Sequence, residues 1–222
     1  MEPIERKRKP LLPVLLAVAI GLLIALLIRS GRTGSDRPEP PPQRSPQQDQ
    51  IAAEVERLGG EVVFNFDLPG QPAVDVSLRG TRVTDADLAV LQEMTELERL
   101  WLDDTKITDA GLAHLAGLAS LELLNLMNTP VTDHGLECLK GMPNLATLAL
   151  DGTGVTDGGL AQLKGLTGLK MIGLESTKVT DAGLEHLKGL AGLEVLELGG
   201  TQVTAAGVDK LQEALPNAAI YR

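Results

Sequence analysis

The chain has 222 residues, enough for one or two ordinary domains, and is 43% hydrophobic but only 2% aromatic. Leu, Val and Ala must therefore build the core, as in repeat proteins where one small aliphatic layer recurs many times. Residues 1–50 carry eight Lys/Arg against five Asp/Glu, while residues 51–222 carry twelve against 25, so the folded part is strongly acidic and nucleic acid is excluded as its expected partner.

Residues 1–10 form a basic head containing Arg6-Lys7-Arg8-Lys9. Leu11 to Ile28 follows as 18 residues without a charge. As a helix this run spans about 27 Å, enough for a bilayer core. Pro13 falls in its first turn, where a missing N–H costs little. A cleaved signal peptide has the same charged start and apolar middle. Leu26-Leu27-Ile28-Arg29-Ser30, however, fits the small-residue cleavage pattern poorly. The segment is therefore expected to be an uncleaved, single-pass signal anchor. Arg29, Arg32 and Arg37 leave only a slight positive-inside bias. The short basic head then stays cytoplasmic and the rest of the chain is extracytoplasmic.

Residues 29–50 read as a linker, because Pro38-Glu39-Pro40-Pro41-Pro42 and Pro46-Gln47-Gln48 lean toward polyproline II. Residues 51–72 read as an N-terminal cap. Ile51–Leu58 is a short amphipathic helix, and Glu61–Asp67 alternates as a strand. Phe64 and Phe66, the only phenylalanines, are expected to seal the first repeat.

From residue 73 to 216 one pattern recurs six times. Thr81, Thr105, Thr129, Thr153, Thr177 and Thr201 mark it at a constant spacing of 24 residues. Around each lies L-x-x-L-x-L-x-x-T-x-V-T-D-A-G-L-x-x-L-x-x-L, with small variations. A period of that length belongs to leucine-rich repeats. Leu100-x-Leu102 has strand period, so residues 99, 101 and 103 face away from the leucines. Thr108-Asp109 reads as a helix start with Thr108 as N-cap, and Leu112 and Leu115 share one helix face. Residues 217–222 begin a partial repeat in which Ile220 takes a core position. The expected fold is α/β: a leucine-rich-repeat solenoid, a right-handed horseshoe arc with a parallel concave sheet and helices on the convex side.

These repeats resemble the ribonuclease-inhibitor-like leucine-rich repeats. More narrowly, they resemble the V-T-D-x-G-L-x-x-L units of bacterial envelope-associated proteins and of F-box substrate receptors. The resemblance covers residues 73–216 and implies a fold and an interaction role. The family usually carries Asn or Cys where this chain has its threonine column, and a Thr hydroxyl can donate to and accept from backbone there. No F-box-like segment precedes the repeats. Ubiquitin-ligase adaptor activity therefore does not carry over, and a substrate-adaptor-like role by analogy to those receptors is kept only as a second alternative.

Asp85, Asp109, Asp133, Asp157 and Asp181 form a further column, read as helix-start stabilisation rather than a cation ladder. His114, Cys138, Gln162 and His186 share a polar column, so Cys138 reads as an exposed thiol through which a homo-oligomer is possible but not expected. No catalytic or phosphate-binding motif occurs, and neither an enzyme, a cofactor nor a metal is expected.

The informative side chains are those on the concave face. Arg99, Trp101 and Asp103 come from one strand, and Leu123, Asn125 and Met127 from the next. Further along come Asp151, then Met171 and Glu175, then Glu197. Trp, Met and Arg are enriched in binding hot spots, so Trp101 is the expected anchor for a protein or peptide. Asp103, Asp151 and Glu175 are expected to be solvated along one edge. A membrane-anchored binding module is the leading function. A structural envelope component that associates with itself or packs on a wall polymer is the alternative.

Overall fold

The computed structural model describes residues 44–68 and 70–222. The expected membrane anchor at Leu11–Ile28 lies outside those residues. Among the described residues no helix is long and apolar enough to cross a membrane.

Helix α1 spans Pro46–Arg57, with Ser45 as its N-cap accepting from the Gln48 amide. It begins five residues before the expected Ile51. Pro46 sits in its first turn, where the fixed φ favours a helix and the absent N–H is no loss. The proline that reads as linker is therefore a helix start. Ile51, Ala52 and Val55 are buried beneath it.

Strand β1, Glu61–Phe64, runs antiparallel to β2, Ala73–Ser77. It stops three residues short of the expected Asp67. Phe64 packs partly on the core, but Phe66 is 66% exposed. The expectation that both phenylalanines seal the first repeat is thus wrong for Phe66, because the strand ends before reaching it.

From β2 onward every pairing is parallel. Strands β3 (Arg99–Trp101), β4 (Leu123–Asn125), β5 (Thr147–Ala149), β6 (Met171–Gly173), β7 (Val195–Glu197) and β8 (Ala219–Tyr221) follow in sequence order in one eight-stranded sheet. The register never slips. Val76, Leu100, Leu124, Leu148, Ile172 and Leu196 pair across successive strands, and all are fully buried. Ile220 continues the row against Leu196 but is only partly buried.

The return arms are tighter than α-helices. A 3₁₀ helix spans Asp85–Glu93 and another Gly135–Gly141. Single α turns open the arms at α2 (Asp109–Leu112), α3 (Asp157–Leu160) and α4 (Asp181–Leu184). Only α5, Ala205–Ala214, is longer. Each strand leaves through a left-handed residue: Gly80, Asp104, Asn128, Gly152, Ser176 and Gly200 all have φ between 56° and 73°. That conformation explains why the column holds Gly, Asn, Asp or Ser and nothing bulkier.

The threonine column works within each repeat. Thr105 Oγ1 donates to the Leu102 carbonyl at 2.6 Å, and Thr129, Thr153 and Thr177 repeat the bond to Leu126, Leu150 and Leu174. It closes turns rather than joining neighbours.

Neighbours are joined by the aspartates. Asp85 accepts the Thr108 amide at 2.8 Å through one oxygen and the Thr108 hydroxyl at 2.6 Å through the other. Asp109 holds Thr132, Asp133 holds Thr156, Asp157 holds Thr180 and Asp181 holds Thr204 in the same two-pronged way. The glycine of T-D-x-G makes room for this. A Cβ on Gly111, Gly135 or Gly159 would stand 2.5 Å from the preceding repeat's aspartate oxygen.

The aspartate column therefore does more than stabilise helix starts: Asp85, Asp109, Asp157 and Asp181 stand in first turns and also grip the next repeat. The ends separate the two roles. The longest arm helix, α5, starts with Ala205 where the column would place an aspartate. In the first arm no aspartate precedes, and the glycine position holds Asp87. Its carboxylate accepts the Thr84 amide and hydroxyl at 2.8 and 2.7 Å, as the neighbouring repeat's aspartate does elsewhere. Bonds from Thr84 hold the Asp87 carboxyl below its ordinary range, and bonds from Thr204 do the same to Asp181. A depressed native pKa adds stability that is present at neutral pH and lost as the pH falls through it.

Asp133→Ala strips partners from Thr156 and is expected to cost about 1–3 kcal/mol in urea unfolding. Gly159→Ala is expected to be less harmful in the Asp133→Ala background than in the native chain, with a coupling of ~1 kcal/mol. Ala205→Asp is expected to change stability by no more than ~0.5 kcal/mol, the scale of an exposed helix-dipole contact. Zero coupling between positions 133 and 159 would show that the glycine is not there to admit the aspartate.

Candidate functional site on the open sheet face

The strands bury one side chain in two and offer the others on the face opposite the core. Register sets these in columns. The first runs Arg99, Leu123, Thr147, Met171 and Val195, all half-buried. Leu123, Met171 and Val195 make this an apolar stripe. The middle column runs Trp101, Asn125, Ala149, Gly173 and Glu197. Two residues past the middle column, just beyond the strand ends, come Asp103, Met127, Asp151 and Glu175.

Trp101 is held in place. Its indole N–H donates to Asp75 Oδ1 at 3.0 Å, while Arg99 Nε donates to Asp75 Oδ2 at 2.8 Å. Asp75 thus orients both side chains at once. It was not among the expected site residues, although its place one strand before Arg99 and Trp101 was a usable signal.

Three expected surface residues are not on the surface. Asn125 is only 6% exposed, and its Oδ1 accepts the Met127 amide at 3.0 Å. Its side chain closes the end of its own strand instead of meeting a partner. Asp103 is 2% exposed and Asp151 is 7% exposed, so the expected solvation of that edge does not hold for either. Burial raises both carboxyls above their ordinary range. Arg79 opposes the shift at Asp103, to whose Oδ2 its Nε donates at 2.7 Å. At Asp151 the opposing contact is the Glu175 amide, which donates to Oδ1 at 2.7 Å. Asp103 Oδ1 and Asp151 Oδ2 are shut from solvent and accept no hydrogen bond.

Glu197 stands near Asp151 and Glu175. Burial and the charges of Asp151 and Glu175 push its carboxyl up to about 6.

The polar column behind the sheet also differs from expectation. Cys138 is half-buried against the core rather than exposed, and burial pushes its thiol up to about 12. Thiolate, the form that exchanges with disulfides, is scarce there at neutral pH. His114 Nδ1 meets the Gln92 amide nitrogen at 2.6 Å. Among the described residues no group of three or more His, Cys, Asp or Glu is placed to hold a metal ion.

One parallel strand per 24-residue unit, with its leucines in a continuous core, decides the fold. The chain has the leucine-rich-repeat fold. An internalin (inlF) from Listeria monocytogenes shares this fold, with 20% identity over 85% of this chain and a TM-score of 0.51. The chain spans 59% of that internalin's length. An internalin C2 from the same organism is 22% identical over 82% of this chain and 88% of its own, with a TM-score of 0.48. No protein-family profile and no curated protein matches the chain.

Glu197 gives the repeat domain a pH signature. A carboxyl raised in the native state keeps its proton longer than in the unfolded chain, so stability falls as pH rises from about 4.5 to about 6. Glu197→Gln is expected to raise the Tm at pH 7.5, by ~1 kcal/mol in stability after solvent screening, and to leave it unchanged near pH 4. Equal Tm values for the two proteins at pH 7.5 would show that no repulsion is stored there.

Proposed function

We propose that this chain is a binding module that takes a protein or peptide on the open, concave face of its sheet. The observation that carries the reading is the oriented tryptophan. Asp75 already satisfies the Trp101 N–H, so a partner can cover the ring without stranding a buried donor. The same carboxylate fixes Arg99, which lowers the side-chain entropy lost on docking. Leu123, Met127 and Met171 extend the patch with half-buried apolar surface of the kind enriched in interface cores.

The test is affinity capture from membrane and envelope extracts with the full chain in neutral detergent. Trp101→Ala and Met127→Ala are run as a paired variant. An anchor of this kind contributes ~2 kcal/mol, so the variant is expected to lose its partner by roughly thirtyfold in affinity. A partner retained equally by both forms would remove Trp101 from the interface and shift the reading to a structural envelope role.

Membrane tethering by Leu11–Ile28 belongs to the same proposal, with the repeats on the extracytoplasmic side. The uncharged run in the sequence supports it. The full chain is expected to stay with membranes through an alkaline carbonate wash, and a chain starting at Arg29 to be released. Release of both would sink the anchor.

A further inference from the structure

The carboxylates of the sheet face fall into two groups. In the first strands each has its own arginine: Asp75 has Arg99, and Asp103 has Arg79. In the last strands Asp151, Glu175 and Glu197 form no ion pair with any Lys, Arg or His among the described residues. The Glu175 charge raises the pKa of Asp151, the charges of Asp151 and Glu175 raise that of Glu197, and no cation opposes either shift.

Two glycines make space for this second group. A Cβ on Gly173 would collide with Asp151 Oδ2, so that oxygen leans over Gly173, the register partner of Glu197. A Cβ on Gly199 would stand 2.9 Å from Glu175 Oε1. Asp151 therefore tilts over β6 and Glu175 over the second residue past β7, in each case above a glycine. Asp151 is more than nine-tenths buried and its Oδ2 has no partner. An unanswered buried charge is costly, and a fold that only needed stability would replace it.

We propose that Asp151, Glu175 and Glu197 form the subsite for a lysine or arginine side chain of a polypeptide partner. This rests on the reading of the sheet face as the binding surface. The cation lodges between the half-exposed Glu175 and Glu197 carboxylates, above Gly173 and Gly199. Asp151 lies beneath and adds its charge to the field without touching solvent. The apolar stripe at Met171 and Val195 starts two residues away along the same strands, about 7 Å. It receives the aliphatic stem or the next residue of the partner. A metal ion is disfavoured as the occupant, because no three of these ligands are placed to hold one.

The test uses the ¹⁵N-labelled full chain in neutral detergent, titrated with Nα-acetyl-arginine methylamide. Nα-acetyl-lysine methylamide, the norleucine analogue and calcium chloride are run in parallel. The cationic amides are expected to shift the Gly173, Glu197 and Gly199 amide resonances with a Kd in the millimolar range. The norleucine amide is expected to leave them in place. Glu175→Gln with Glu197→Gln, in a protein whose remaining spectrum is unchanged, is expected to weaken the arginine amide at least fivefold. Equal shifts from norleucine, no shift from either cation, or stronger saturation by calcium would each overturn the proposal. If a captured partner depends on Trp101 and Met127 but not on Glu175 and Glu197, the binding surface stands and this subsite falls.

Discussion

Everything in this molecule depends on one repeated contact: an aspartate of one repeat gripping the threonine amide and hydroxyl that open the next arm. The leucine core drives collapse but is nearly featureless along the stack. Leu100, Leu124 and Leu148 are equivalent, fully buried layers. Hydrophobic burial is non-directional and sets no register between arms. The carboxylate fork sets it, since two oxygens must meet two donors at 2.5–2.8 Å. The glycine three residues after each gripped threonine lets the neighbouring fork approach. Threonine, aspartate and glycine of T-D-x-G are thus parts of one joint that spans two repeats.

That joint was only partly legible in the sequence. The 24-residue period, the strand positions and the threonine caps follow directly from spacing. The partner of each aspartate does not, because it lies 23 residues away and the local helix start offers a sufficient reason for an acid. The clue lay in the exceptions. Ala205 lacks the acid at the helix that would profit most from one, and Asp87 replaces glycine where no earlier acid intrudes. Phe66 misled for a different reason: alternation continues past Phe64, but the strand pairing does not.

The sheet face was legible as a surface but not as chemistry. Alternation tells which side chains point away from the leucines. It does not tell how deeply each sinks among its cross-strand neighbours. Asn125 turns inward to cap its strand, and Asp103 and Asp151 are buried although they stand at outward positions. Trp101 kept its place because Asp75 holds it from the neighbouring strand. The face that results is polarised along the stack. Acids matched by arginines lie at one end, and acids without a counter-ion lie at the other.

The joint has a consequence for how such a protein can change its length. Because every fork reaches into the next unit at a constant offset, excision or duplication of 24 residues inside the array returns each aspartate to a threonine and each glycine to an aspartate. A change of 23 or 25 residues would unseat the joint that spans it. The recognition surface is therefore quantised. It can grow or shrink in steps of one strand spacing, about 4.8 Å, with no contact needing redesign. A lineage of such proteins could retune its reach by unequal recombination alone, leaving point mutation to adjust what each step presents.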